Sequence, residues 1–352
     1  MFDLSTLIRD NIKRMKPYSS ARGEFQGEAS VFLDANENPF NNPYNRYPDP
    51  LQRKLKQQIS LLKGVPEGSI FLGNGSDEPI DLLIRAFCEP GRDTMVTLDP
   101  TYGMYEVAAN TNNVECRKVL LDEDFQMDLP AVKAAVTPET KLIFLCSPNN
   151  PTGNLLRKEQ MLSLAEWFHG IVVVDEAYID FAPGHSLLTE LANYPNLVVL
   201  QTFSKAWGLA GIRLGMAFAS ESIIAILNKI KYPYNVNVLT QKVALEMLGS
   251  VQQHDQWVDE LLTGRDMLSN QLRTLPYVRK VFPSDANFLL LRVDDPLSVY
   301  RYLMQNGIIV RNRHSVSLCA GCLRITIGSP SENDALLSAM RAFPLDRCSL
   351  SC

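Results

Sequence analysis

The sequence predicts an α/β protein with a mainly parallel central sheet flanked by helices. Three apolar runs of strand length occur in succession, at residues 141–146, 171–174 and 197–200, and segment 155–169, closed by Gly170, predicts a helix between the first two. Strands that are apolar on both faces are typical of a parallel sheet covered by helices on both sides. At 352 residues the chain exceeds one typical domain, so two lobes are expected.

The first fifty residues are rich in turn-forming residues. Residues 31–33 predict a short strand, and the stretches 34–40 and 45–50 predict an exposed connecting arm. A polar arm with tyrosines often wraps a partner subunit. A helix is predicted after the arm, from residue 51 to about residue 62, because its leucines and isoleucine share one face.

A loop that could bind phosphate follows this helix. A short strand at 70–72 leads into Gly73-Asn74-Gly75, and Ser76 is a suitable N-cap for the helix that comes next. Free backbone N–H groups at such a helix start approach a phosphate closely, although the two acidic residues after Ser76 could equally just cap the helix. A dinucleotide-binding motif is excluded, because its third glycine would have to stand at Glu78.

Polar and aromatic side chains stand just beyond the predicted strands. Ligands of parallel sheets bind outside the carboxyl ends of the strands, which lie along one edge. Strand 94–98 is followed by Tyr102, whose ring could stack on a flat ligand or pack in the core. The residues expected to form one site at this edge are Asn150, Asp175, Tyr178 and Lys205.

Lys205 stands at the exit of strand 197–200 on a short, glycine-rich loop. A lysine after a strand is usually a solvated surface residue, and the rest of the sequence decides between the interpretations. Desolvation on such a loop favours the neutral amine, which attacks a carbonyl to form a Schiff base. The hydroxyls of Thr202 and Ser204 and the fixed charge of Arg213 suit a phosphorylated aldehyde, so pyridoxal 5'-phosphate is the expected cofactor.

Asp175 would serve the ring of that cofactor. A carboxylate at the end of a buried strand is unfavourable unless it meets a cation. A protonated pyridine nitrogen supplies this cation, and the Asn150 amide and the Tyr178 hydroxyl are suitable donors to the phenolate oxygen of the ring.

Charge and hydropathy disfavour other classes of protein. The net charge is -5 and no long run of lysine or arginine occurs, so nucleic acid is not expected as a partner. The N-terminus lacks the apolar core of a signal peptide, and no apolar stretch reaches membrane-spanning length. A cytoplasmic protein is therefore expected.

The cysteines and histidines give little support to a metal site. Seven cysteines, an odd number without a secretion signal, predict free thiols. Cys319 and Cys322 form a CxxC pair with Cys348 and Cys352 downstream, so zinc is conceivable, but the first pair leads directly into an alternating strand pattern. The four histidines include no pair at metal-ligand spacing, and His314 could line a substrate pocket because it follows two arginines.

Several motifs, in the expected order, resemble a known superfamily. Segments 147–153, 174–178 and 202–205 are similar to the ring-binding and lysine motifs of fold-type-I, pyridoxal-phosphate-dependent aminotransferases, and the similarity runs nearly end to end. Within that superfamily the chain most resembles the histidinol-phosphate aminotransferase family. The segments that carry this further resemblance are 33–39, 46–49, 73–78, 206–211, 309–311 and 323–328.

The resemblance implies how the chain is divided and assembled. Residues 36–239 would form the large cofactor-binding domain, and residues 1–35, with the arm, and 240–352 would form a smaller α+β lobe. The family implies a homodimer whose active sites lie at the subunit interface. Tyr47 would then reach the cofactor phosphate of the neighbouring subunit.

The resemblance also implies a role for each site residue. It agrees with the roles derived above for Lys205, Asp175, Asn150 and Tyr178, and it places Tyr102 on the cofactor ring. The cofactor phosphate would be held by Gly75, Ser76, Asp77, Thr202, Ser204 and Arg213. The substrate would meet Arg324 through a carboxylate, Arg311 through its phosphate, and Tyr18 and Asn36 in the pocket.

The implied reaction is a ping-pong exchange of an amino group between histidinol phosphate and glutamate or 2-oxoglutarate in histidine biosynthesis. An aromatic-amino-acid aminotransferase or a threonine-phosphate decarboxylase would use the same cofactor residues. A non-catalytic regulator would keep the fold without the chemistry, which the complete set of cofactor residues disfavours.

Overall fold

A seven-stranded sheet forms the larger part of the protein. The computed structural model describes residues 2–18 and 30–344. The sheet consists of β1 (Ile70–Asn74), β2 (Thr94–Asp99), β3 (Glu115–Leu120), β4 (Thr140–Cys146), β5 (Ile171–Asp175), β6 (Leu197–Thr202) and β7 (Leu214–Phe218), in the order β1-β7-β6-β5-β4-β2-β3. Strands β3, β2, β4, β5 and β6 pair in parallel, and β7 runs antiparallel to both β6 and β1. The prediction of a mainly parallel central sheet is confirmed.

Helices cover both faces of this sheet. On β5, Ile171 and Val173 point into one apolar layer, whereas Val172 and Val174 point into the other. This arrangement explains why the strand is apolar without alternation. The helices of this half of the sequence are α1 (Leu4–Leu7), α2 (Asp10–Arg14), α3 (Arg53–Lys63), α4 (Asp77–Phe87), α5 (Met104–Thr111), α6 (Leu129–Ala135), α7 (Lys158–Trp167) and α8 (Glu221–Ile230).

A smaller, antiparallel sheet follows later in the chain. Its strands are β8 (Val278–Val281), β9 (Phe288–Val293), β10 (Arg311–Asn312) and β11 (Cys322–Thr326), in the order β10-β11-β9-β8. Leu272, Leu303 and Leu337 pack with the sheet residues in one apolar cluster. The accompanying helices are α9 (Val238–Leu248), α10 (Val251–Leu272), α11 (Pro296–Gln305) and α12 (Pro330–Arg341).

The prediction of a strand at residues 31–33 is wrong. Val31 and Leu33 are 70% and 90% exposed, and no neighbouring strand pairs with this segment among the described residues. The carbonyl of Phe32 instead accepts a hydrogen bond from Arg46 Nη1 at 3.2 Å, which ties the segment to the arm. Three apolar residues do not form a strand unless another strand completes their backbone hydrogen bonds.

The helix predicted at 155–169 is shorter than expected, because it begins at Lys158 and ends at Trp167. The backbone N–H groups of its predicted first turn have other acceptors. Leu155 donates to the Asp285 carboxylate at 2.8 Å, and Leu156 donates to Ser147 Oγ at 3.0 Å. These bonds keep residues 155–157 extended beside the site. The helix predicted at 51–62 corresponds to α3.

The start of the chain packs beside the large sheet. The Arg9 backbone N–H donates to the Ala86 carbonyl at 3.1 Å, and the Arg9 guanidinium pairs with Glu89 at 3.0 Å. Phe2 and Leu4 contact the same apolar layer as α4. These contacts indicate that the first described residues belong with the larger part of the protein. The division of the chain at residues 35 and 239 stays a prediction.

Candidate active site

A cavity of about 740 Å³ opens at the carboxyl ends of β2, β4, β5 and β6. The start of α4 bounds it on one side, and residues of the smaller sheet bound it on the other. The predicted site residues that line it are Ser76, Asp77, Tyr102, Asn150, Asp175, Tyr178, Thr202, Ser204, Lys205, Arg213, Arg311 and Arg324. The strand ends therefore bring together the side chains that the sequence suggested.

Asp175, the last residue of β5, lies at the buried base of the cavity and is 2% exposed. Burial raises the pKa of its carboxyl group to about 6, and hydrogen bonds oppose this rise. Tyr105 Oη donates to Oδ2 at 2.7 Å, and the Ala177 backbone N–H donates to Oδ1 at 3.1 Å. A buried carboxylate of this kind is stabilised by a cation placed in the cavity.

Tyr105 was not predicted from sequence. It lies in the first turn of α5, is fully buried, and stacks on Phe144 with a centroid distance of 5.0 Å. The available signal was its spacing, three residues after Tyr102, because positions i and i+3 share one face of a helix. A buried tyrosine usually finds a hydrogen-bond partner, and here that partner is Asp175.

Lys205 projects into the cavity from the loop after β6. Its Nζ lies 5.5 Å from the centroid of the Tyr178 ring. Although the side chain is accessible from the cavity, the surrounding protein removes part of its hydration, and this desolvation lowers the pKa of the amine. The Arg324 cation lowers this pKa further, whereas Asp175 raises it. The environment therefore favours a neutral, nucleophilic amine.

Asn150 connects the two sheets at the site. Its Nδ2 donates to Tyr178 Oη at 3.4 Å, and its Oδ1 accepts a hydrogen bond from Arg324 Nη1. The Arg324 guanidinium also lies 5.2 Å from the centroid of Phe288, whose ring meets Tyr178 edge-on at 5.1 Å. An arginine on β11 that lines the cavity is thus positioned by a residue that follows β4.

Two glycines allow the loop between β1 and α4, which is predicted to bind phosphate, to form. Gly75 has φ +73°, and a Cβ atom there would lie 2.5 Å from Arg213 Nη2. A Cβ atom at Gly215, on the neighbouring β7, would overlap the backbone at Gly75 and Ser76. The backbone and a guanidinium therefore converge where a larger residue would fill the space.

The hydroxyl groups opposite this loop are positioned by each other. Thr202 Oγ1 donates to Ser204 Oγ at 3.0 Å and accepts from the Ser204 backbone N–H at 3.1 Å. Asp77 links two further residues, because it accepts a hydrogen bond from Tyr102 Oη at 3.1 Å and pairs with Arg213 Nη2 at 3.4 Å. Since a carboxylate repels an anion, only the backbone N–H of Asp77 is suited to binding phosphate.

Ser76 does not cap α4 through its side chain, contrary to the sequence prediction. Its backbone is helical, with φ -68° and ψ -13°, so its hydroxyl makes no capping hydrogen bond. The Glu78 carboxylate instead accepts a hydrogen bond from the Asn74 backbone N–H and another from Asn235 at 3.0 Å. The Ser76 hydroxyl is left available to the cavity.

Some predicted residues lie outside the cavity of this chain. Tyr18 is 69% exposed, and Asn36 is exposed with a left-handed backbone of φ 54°. Tyr47 stacks on Tyr234 with a centroid distance of 4.4 Å. His314 does not line the cavity either, because its Nδ1 accepts the Gly321 backbone N–H at 3.0 Å. The substrate roles of Tyr18 and Asn36 remain predictions.

The described residues contain no group of three or more side chains that could hold a metal ion. Cys319 and Cys322 are buried free thiols. Cys348 and Cys352 lie outside the described residues. Within residues 2–18 and 30–344, no helix is both long and apolar enough to span a membrane.

The chemistry of the donor set fits pyridoxal 5'-phosphate. An amine of lowered pKa, a buried carboxylate and a phosphate-sized group of donors face one cavity, and each matches one functional group of that cofactor. A family model for class I and II aminotransferases matches residues 27–340. The fold, the site and this match together define a pyridoxal-phosphate-dependent aminotransferase.

Relatives give the narrower family. A histidinol-phosphate aminotransferase from Parabacteroides distasonis is 61% identical over 345 residues, which cover 98% of this chain and all of the relative. The chain belongs to the histidinol-phosphate aminotransferase family. Two solved structures share its fold. That of the histidinol-phosphate aminotransferase from Clostridium acetobutylicum has a TM-score of 0.79 at 24% identity and covers 85% of this chain and 90% of its own. The Sinorhizobium meliloti enzyme in complex with pyridoxal-5'-phosphate has a TM-score of 0.77 at 24% identity, covering 84% and 82%.

Proposed function

We propose that this protein transfers an amino group between histidinol phosphate and 2-oxoglutarate, as a step of histidine biosynthesis. The observation that carries the proposal is the cationic wall of the cavity. Arg311, Arg313 and Arg324 all line it, and none of them pairs with a carboxylate among the described residues. Arg313 and Arg324 are half-buried and Arg311 is exposed, and cations without acidic partners at a cavity wall favour a substrate that brings its own negative charge.

The two substrates place their charges differently. Glutamate carries two carboxylates, whereas histidinol phosphate carries one phosphate and no carboxylate. Arg324, beside Asn150, is suited to the carboxylate next to the reacting carbon, and Arg311 is suited to the more distant anion. An aromatic amino acid would leave the outer guanidinium without a partner, so the wall favours the phosphorylated substrate.

When bound, the cofactor supplies an electron sink for the bond that breaks at the substrate Cα. Lys205 would take the proton from Cα and return one, because it is the amine that projects into the cavity, and desolvation lowers its pKa. Asp175, oriented by the Tyr105 hydroxyl at 2.7 Å, would hold a proton on the ring nitrogen of the bound cofactor. Asn150 and Tyr178 would donate to the ring oxygen, and Thr202, Ser204 and Arg213 would hold the phosphate.

The proposal includes a homodimer in the cytoplasm. Phe40 and Tyr44 on the arm are 76% and 58% exposed, and exposed aromatic groups of this size favour burial against another surface. A second copy of the chain is the proposed partner, with Tyr47 reaching into its site. The five described cysteines are free thiols, as suits a reducing compartment.

The reaction is tested with the purified protein, pyridoxal 5'-phosphate and 2-oxoglutarate. Histidinol phosphate is expected to yield glutamate and the matching ketone faster than phenylalanine yields glutamate. A faster reaction with phenylalanine would favour an aromatic-amino-acid aminotransferase. Release of carbon dioxide from threonine phosphate without glutamate formation would favour a decarboxylase. Binding of the cofactor without turnover of any of these compounds would favour a regulator.

A further inference from the structure

Arg313 belongs to the same side-chain row as the two predicted substrate arginines. Arg311 on β10 is directly opposite Arg324 on β11, so these two side chains lie on one face of the pair. The Arg313 backbone N–H donates to the Cys322 carbonyl at 2.9 Å, which continues the pairing beyond β10. Because side chains alternate along a strand, Arg313 shares the face of Arg311. All three line the cavity.

The structure gives Arg313 no protein partner for its charge. Its buried Nε forms no hydrogen bond, and the guanidinium forms no ion pair among the described residues. Of the four acidic side chains that line the same cavity, Asp77 pairs with Arg213 and Glu106 with Lys118. The other two, Asp99 and Asp175, form no ion pair with Arg313. Three neighbouring cations repel one another, and partial burial makes this less favourable.

Desolvation and the charges of Arg324 and Arg311 lower the pKa of Arg313. A ligand anion would relieve both effects. A structural role would normally provide a carboxylate or a carbonyl for such a side chain, as Arg279 has in Asp294 on the surface of the smaller sheet. The unpaired Nε, on a side chain that lines the cavity and has no acidic partner among the described residues, therefore favours a binding role.

We propose that Arg313 is a specificity-determining residue that binds the phosphate dianion of the substrate together with Arg311. This inference rests on the proposed function and names the residue that separates its two substrates. A phosphate brings three acceptor oxygens and nearly two negative charges, so it can engage two guanidiniums at once. The distal carboxylate of glutamate brings one charge and is satisfied by a single guanidinium fork.

The test compares the cofactor-loaded wild type with Arg313→Gln in single turnovers with histidinol phosphate or with glutamate. The half-saturating concentration for histidinol phosphate is expected to rise about 10- to 100-fold, as for the loss of one charge-assisted contact. The half-saturating concentration for glutamate is expected to rise by a factor several times smaller than that for histidinol phosphate. The rate at saturation should change little for either substrate, because the contact is made equally before and during reaction.

Two further variants guard against a merely structural effect. Arg313→Lys keeps the charge and should recover part of the affinity for histidinol phosphate. Arg279→Gln removes an exposed arginine of the same sheet and should leave the half-saturating concentrations of both substrates unchanged. Wild-type affinity for histidinol phosphate should also weaken as the pH falls below about 6, where the phosphate gains a proton, and this dependence should be smaller in Arg313→Gln.

An equal change for both substrates, or no change for histidinol phosphate, would overturn the role of Arg313. Such a result is distinguishable from failure of the proposed function itself. If the wild type turns over histidinol phosphate rapidly, the function stands and only the inference falls. If the wild type does not turn it over, the function falls before any variant is compared.

Discussion

The Tyr105 hydroxyl helps to keep Asp175 ionised. Tyr105 is fully buried and donates to this carboxylate at 2.7 Å, and in doing so it favours the ionised form. Burial acts in the other direction and outweighs the hydrogen bonds, so the pKa of Asp175 is raised to about 6. If Asp175 holds the protonated ring nitrogen of the cofactor, as proposed, we expect that interaction to depend on Tyr105 as well.

Tyr105→Phe is expected to weaken cofactor binding in a pH-dependent way. Without the hydroxyl, the pKa of Asp175 in the empty site rises above about 6. The carboxylate then takes up a proton at a higher pH, and affinity for pyridoxal 5'-phosphate begins to fall about one pH unit earlier as the solution is acidified. The measurement is a spectrophotometric titration of the apoenzyme with cofactor between pH 5 and about 8.5.

Tyr302→Phe is the matched control, because its hydroxyl donates to the Ala342 carbonyl at 3.3 Å, outside the cavity. It should bind the cofactor as the wild type does at every pH. If the cofactor affinity of Tyr105→Phe falls over the same pH range as that of this control, the Tyr105 hydroxyl does not help to keep Asp175 ionised.

The residues after strand ends were predictable because one rule covers them. Asn150, Asp175 and Lys205 follow buried strands of a parallel sheet, and the carboxyl ends of such strands share an edge. Tyr105 and Arg313 were not predictable in this way. The first looks like an ordinary core aromatic, and the second gains its meaning only when antiparallel pairing sets it beside Arg324.

At the level of elements, the position of the loop between β1 and α4 depends on β7, the strand that pairs with β1. Gly215 on β7 pairs with Gly73 on β1, and a side chain at Gly215 would overlap the backbone of Gly75 and Ser76. The position of the backbone predicted to bind phosphate thus depends on a residue more than a hundred positions later in the chain. The sequence shows that this loop is rich in glycine, but it does not show which strand packs against the loop.

Gly215→Ala is expected to displace the phosphate-binding loop. The added methyl group meets backbone atoms, which cannot rotate away, so we expect a loss of stability of about 1–3 kcal/mol and a loss of cofactor affinity of at least tenfold. Thermal unfolding and titration with pyridoxal 5'-phosphate measure the two effects. Gly211→Ala is the control, because nothing lies within 4 Å of its added Cβ. Equal cofactor affinity in the two variants would contradict the role of Gly215.

Element boundaries were less predictable than element types. The helix after β4 starts at Lys158 because Asp285 and Ser147 accept the N–H groups of Leu155 and Leu156. Asp285 comes from the smaller part of the protein, 130 residues away in sequence. Local propensity cannot report an acceptor that arrives from so far along the chain.

At the scale of the whole molecule, the main prediction is that each active site uses residues from two chains. Tyr47 does not line the cavity of its own chain, and its ring stacks on Tyr234 at 4.4 Å. If Tyr47 serves the neighbouring site, mixing inactive Lys205→Ala and impaired Tyr47→Ala subunits should restore activity. Each hybrid dimer would carry one site with both substitutions and one site with neither.

Subunit exchange followed by the amino-transfer assay measures this recovery, and sedimentation checks that both variants remain dimers. Two Lys205→Ala preparations mixed in the same way provide the baseline. Activity no higher than the average of the separate variants would show that Tyr47 acts within its own chain or not at all. One chain alone could not decide this point, because the placement of an arm against a second copy is absent from a single sequence.

The contact between Arg324 and Asn150 has a consequence for the order of events at the site. This hydrogen bond joins β11 of the smaller sheet to the loop that follows β4. A carboxylate that binds Arg324 competes with the amide oxygen for the same Nη1 donor. The arriving acid would thus replace a direct link between the two parts of the protein with one that passes through itself. Release of the product would re-form the original link, so the two parts would be joined in every stage of the cycle.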